Sequence, residues 1–138
     1  MRAYLAAVLS VIAIGVTAAL AAENPPESYV KRMKDTNAAM QSLRGHVQAK
    51  DYAGMIADAA ALKKVFADVE AFWAARRADD AIGFARSAGK AASDLEAAAR
   101  AKNDDALATA ARAVNGTCMG CHTAHRERLP DGSSQIKH

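Results

Sequence analysis

Aromatic residues are scarce in this 138-residue chain, at 5%, and it holds only two cysteines. Two cysteines exclude the disulfide framework that staples many small exported domains. There is no second C-x-x-C and no H-x-x-x-H, so a four-ligand zinc site lacks its ligands. No part of the chain alternates polar and apolar residues in the β manner. That removes the strand–helix setting of a thioredoxin-like redox motif. The formal charge is only +3. Its cations are scattered among anions, too evenly to argue for nucleic acid. No nucleophile motif and no second metal cluster appears, so nothing points to an enzyme.

What is present begins with the N-terminus. Arg2 precedes an apolar run from Ala3 to about Leu20, and Ala19-Leu20-Ala21 follows as an A-x-A pattern. Residues 1–22 are predicted to be a secretory signal peptide, cut after Ala21 or Ala22. The run is also near the length of a membrane anchor. The cleavage pattern and the polar ENPPES after it favour removal, and with it export to a bacterial periplasm. Residues 23–138 then form one small domain with no stable membrane insertion.

That domain is rich in Ala, Leu, Met, Lys, Arg, Glu and Gln, which are good helix formers. Four helices are predicted. The first opens near Pro25-Pro26-Glu27 and runs to about His46, with Val30, Met33, Asn37, Met40, Leu43 and Val47 on one face. Gly45, Lys50 and Asp51 mark its turn. The second runs from an Asp51 N-cap to about Ala75. Its stripe includes Met55, Leu62, Phe66, Val69, Phe72 and Trp73. The third runs from Asp79-Asp80 to about Arg100 and the fourth from Asn103-Asp104 to Leu129-Pro130-Asp131-Gly132. The tail after about residue 130 has no periodicity and is expected to fray. Short connections between four helices predict an all-α, antiparallel four-helix bundle. Its core faces are crowded with alanine, and a flat apolar cofactor would supply bulk the side chains lack.

The fourth helix carries both cysteines, in NGTCMGCHTAHRERLP. A disulfide between Cys118 and Cys121 would close too short a loop to restrain the unfolded chain much. One chemistry uses Cys118, Cys121 and His122 together. In C-x-x-C-H the thiols form thioethers to the vinyl groups of haem c, and the histidine binds the iron. Residues three and four apart share a helix face, so all three point one way. Arg126, four beyond His122, is expected on that face near the imidazole or a haem propionate. Its competing reading is a solvated arginine in the last helical turn. His125 reads as packing or surface.

A haem motif at the C-terminal end of an all-helical chain resembles the class II c-type cytochromes, the cytochrome c′ family. The likeness covers about Tyr29 to Arg126. Its most specific part is Cys118-Met119-Gly120-Cys121-His122 with Arg126, except that His125 stands where the family has an aromatic residue. The resemblance implies a four-helix bundle enclosing one covalently attached haem. Low-spin members supply a methionine from the first helix, and Met33-Lys34-Asp35 looks like that segment. Met33 is thus the candidate distal iron ligand. Met40, two turns on, is the alternative, and both also read as ordinary core methionines. His46 is an outside candidate.

With Met33 and His122 both bound, the iron suits a periplasmic one-electron carrier that meets redox partner proteins. High-spin members leave the sixth position open, which implies instead a protein that binds NO or CO for buffering, detoxification or sensing. The resemblance also allows a homodimer.

Overall fold

A computed structural model describes residues 22–137. The expected signal peptide therefore lies outside the described residues, apart from Ala22. Four helices follow in order: α1 (Glu27–Ala49), α2 (Tyr52–Ala74), α3 (Asp79–Arg100) and α4 (Asp104–His125). A short antiparallel hairpin closes the chain, β1 (Arg126–Arg128) and β2 (Ser134–Ile136). Among the described residues no helix is long and apolar enough to cross a membrane.

Local chemistry sets the helix ends. Asp51 and Asn103 accept from the backbone N–H three residues on, at Gly54 and Ala106. These side chains satisfy donors that a helix start leaves free. α1 lacks such a cap and starts after Pro26, whose fixed φ suits that position. The connections after α1, α2 and α3 each contain a non-glycine residue with positive φ, namely Lys50, Arg77 and Lys102. The left-handed step turns the chain back at once. Gly45, read as part of a turn, lies inside α1, which continues to Ala49.

Each helix packs on the next, giving a helical bundle: α1 on α2, α2 on α3, and α3 on α4. The centre holds Leu43, Met55, Leu62, Phe66, Leu95, Leu107 and Val114, joined by buried alanines of α3. Alanine lets α3 lie close between its two neighbours. Complete burial of a side chain such as Leu62 or Leu95 contributes roughly 1.5–3 kcal/mol.

No comparable packing joins α1 to α4. The residues of α1 that face the core are Tyr29, Thr36 and Leu43. Of the stripe read from the sequence, Leu43 is in the core and Met33 and Met40 pack at its edge. Val30, Met33, Asn37 and Met40 line a cleft, and Val47 is exposed.

The chain end corrects the sequence reading. α4 stops at His125, and Arg126–Arg128 is extended, paired residue by residue with Ser134–Ile136. The turn is Leu129-Pro130-Asp131-Gly132. Gly132 N–H donates to Leu129 O, and Asp131 accepts from both the N–H and hydroxyl of Ser133. Proline at the second place and glycine at positive φ suit such a turn. The tail is not frayed: Ile136 is 3% exposed. A strand of three residues is too short to show a period, so pattern reading passed over it.

His46 is not near the motif. It closes the α1–α2 corner, where Nδ1–H donates to the buried Asp58 carboxylate at 2.7 Å. The hydrogen bond to Asp58 raises the His46 pKa above its ordinary 6.5. A raised folded pKa gives stability that is fully present below about 6.5 and lost as pH rises through the folded value. Thermal melts of the parent should thus drop between about pH 6 and pH 9 more than those of His46→Gln. Equal pH slopes for the two proteins would refute this.

Candidate cofactor-binding cleft

The open seam between α1 and α4 is a cleft whose floor is Phe66 and Val69 of α2 and Phe84, Ala85 and Ala88 of α3. It has two lobes that share Tyr29, Met33, Asn37, Cys121 and His122. The first lobe, towards Met40, Arg44 and Cys118, encloses about 910 Å³ of empty space with its open mouth. The second, towards Trp73, Arg126 and the hairpin, encloses about 1390 Å³ on the same measure. Most of the lining is apolar. Its charged side chains are Lys34, Arg44 and Arg126, with no carboxylate among the lining residues.

Cys118, Cys121 and His122 come together on one turn of α4, all half-buried and all facing the cleft. Both thiols are free. Burial raises the pKa of Cys118, and burial with the neighbouring Cys118 and Asp80 pushes Cys121 up to about 11. A disulfide-exchange pair needs the opposite, a thiol shifted towards thiolate. His122 is pushed down, by burial first and then by the Arg126 charge. That favours the neutral imidazole whose lone pair can bind a metal. Among the described residues neither ring nitrogen of His122 has a hydrogen-bond partner. Nor do three His, Cys, Asp or Glu side chains gather among them as ligands for a bare metal ion. Two thiols and one imidazole, from Cys118, Cys121 and His122, are therefore presented to the cleft from one helical turn.

Gly120 makes this turn fit the bundle. A Cβ there would lie 2.7 Å from Cε1 of Phe84. Without one, the motif lies directly on the Phe84 ring.

Met33 and Met40 both line the cleft and are half-buried. Met33 borders both lobes, as His122 does, whereas Met40 borders only the first. Helix rise separates the two methionines in the same way. Met33 lies ~9 Å from the start of α1 and His122 ~4.5 Å from the end of α4, with Met40 ~20 Å along. In an antiparallel pair those two helix ends are neighbours.

Arg126 does not extend the helical face. It sits in β1, exposed, with Nε donating to Ser134 Oγ at 2.9 Å. It still reaches the second lobe beside His122, by way of the strand. His125 is buried against Trp73 with ring centroids 4.9 Å apart. Its Nε2 meets Asp80 at 3.0 Å and its Nδ1 the Lys137 carbonyl at 3.2 Å, so both nitrogens are engaged within the fold.

Several lining residues were not singled out from sequence as part of a site. Tyr29 stacks on Phe72 with centroids 4.0 Å apart and accepts from Trp73 Nε1 at 3.2 Å. Burial pushes its phenol up to about 12. Tyr29 lies four residues before Met33, a spacing that could have flagged it. Phe84 and Arg44 carried no such signal, because one reads as core and the other as solvated surface.

Compared with known protein families and with curated proteins, the chain matches none by sequence.

Proposed function

We propose that this chain is an exported monohaem c-type cytochrome, of the kind resembling class II, that works as a one-electron carrier. The observation that supports it best is that Met33 and His122 border the same two lobes of one apolar cleft. When bound, haem supplies one iron that alternates between ferric and ferrous. Cys118 and Cys121 hold the macrocycle edge through thioethers, and His122 offers a neutral imidazole from the same helical turn. Met33 offers a thioether from α1, which favours ferrous iron relative to a second histidine. Phe66, Val69, Phe84 and the alanines of α3 exclude water from the floor. Lys34, Arg44 and Arg126 suit a group with two carboxylates. Haem would fill the seam that α1 and α4 leave open, and the exposed edge would meet donor and acceptor proteins.

One observation favours the second reading, an iron left five-coordinate that takes NO or CO. α1 packs closely on α2 alone, so a ligand on α1 depends on a single helix interface.

Absorption spectra of the haem-loaded mature protein, ferric and ferrous, separate the two. Low-spin bands, a ferric methionine–iron charge-transfer band and no response to CO are expected for the carrier. High-spin bands that shift with CO would overturn it and leave Met33 as a packing residue.

A further inference from the structure

Residues 23 and 24 pair with residues 135 and 136, which share the second lobe with His122. Glu23 and Ile136 exchange backbone hydrogen bonds of 2.9 and 2.8 Å. Gln135 Nε2 donates to Asn24 Oδ1 at 3.1 Å. Arg76, just past α2, binds the Glu23 carboxylate at 2.8 Å and lies over the Phe72 ring. Ile136 is buried in a cluster with Tyr29, Val69 and Trp73. Lys137 N–H donates to the His125 carbonyl at 3.0 Å. The same segment, Gly132 to Ile136, walls the second lobe together with Cys121 and His122.

His122 lies only three residues from the end of α4. Helix ends fray, and their last carbonyls lack partners within the helix. Here Arg126 N–H closes the last helical step onto His122 O, and Lys137 N–H from the tail takes up His125 O. Attachment of a cofactor to Cys118, Cys121 and His122 needs none of this, since α4 alone supplies the three groups.

We propose that this clasp is a positioning element for His122. It stiffens the last turn of α4 and walls the hairpin side of the second lobe, which limits how water reaches the imidazole from there. Ile136 is its anchor, and Ser134 fixes Arg126 next to the ring. The stiffening stands on geometry alone. The consequence for the iron rests on the haem reading: drier surroundings favour the less charged ferrous state, because the shell around a ligand tunes the metal.

The test uses the full haem-loaded chain. Ile136→Ala is compared with Ile136→Val and with Leu107→Ala, a buried residue in the first turn of α4. Amide hydrogen exchange of residues 122–126 and the midpoint potential are measured. Ile136→Ala is expected to speed that exchange about tenfold or more through local fraying and to move the potential negative. Ile136→Val should restore both towards the parent. Leu107→Ala should lower the melting temperature but change neither readout. Unchanged exchange in Ile136→Ala, or equal acceleration in Leu107→Ala, would overturn the proposal. A chain whose mass shows no attached haem would refute the function proposed above, and the exchange rates would still judge the clasp.

Discussion

The haem-loaded Met33→Ala protein is expected to bind CO stoichiometrically in the ferrous state, where the parent binds none. Removing the thioether leaves the iron without a ligand on the α1 side. Ferric bands should change from low-spin to high-spin, and the charge-transfer band of the methionine–iron bond should vanish. The midpoint potential should fall, because the ligand that favours ferrous iron is gone. Folding should suffer little, since Met33 is half-buried and packs at the edge of the smaller aromatic cluster. Met40→Ala is the control. It shares only the first lobe with His122, so its spectrum should match the parent's. A spectral change in Met40→Ala and none in Met33→Ala would reassign the ligand to Met40.

The double variant Cys118→Ala, Cys121→Ala is expected to lose all covalently held haem. The parent, made in a host that attaches haem c, should retain the group after denaturation and organic extraction. Its polypeptide mass should rise by one haem, and the double variant should show no added mass. Any haem the variant keeps would be bound reversibly. Stabilisation then depends on free haem, ~2.7 kcal/mol at a hundredfold excess over Kd, and fades on dilution. The parent's would not. A parent of unmodified mass would refute haem attachment, and a haem-bearing double variant would place the attachment elsewhere.

Most of the helical architecture was legible in the chain. Asp51 and Asn103 announce helix starts because their side chains can take a free N–H of the first turn. The C-x-x-C-H spacing puts three cleft residues on one helical turn, whatever lies opposite. Other features were hidden for definite reasons. The α1 stripe of Val30, Met33, Asn37 and Met40 is a helix period, and a period does not say whether its face meets another helix or a cleft. Leu129-Pro130-Asp131-Gly132 was read as a stop. It is also a turn that sends Ser134–Ile136 back beside Arg126, and three residues carry no recognisable alternation. In the sequence His125 reads as a departure from the pattern of the family that the motif resembles. Packed against Trp73, its ring lies beside an aromatic neighbour and takes two hydrogen bonds that phenylalanine could not.

Local matters follow from the order of amino acids: four helices, the Asp51 and Asn103 caps, and Cys118, Cys121 and His122 on one face. These follow from bonds and contacts within a few residues, which the order of amino acids specifies directly. The tertiary structure alone decided that α1 and α4 stay apart and that Met33, not Met40, borders both lobes with His122. It also decided that residues 23 and 136 meet beside the motif. Each of these joins segments far apart in the chain. Such meetings depend on how the alanine face of α3 spaces its neighbours and on where Ile136 finds apolar cover, and no local pattern encodes either.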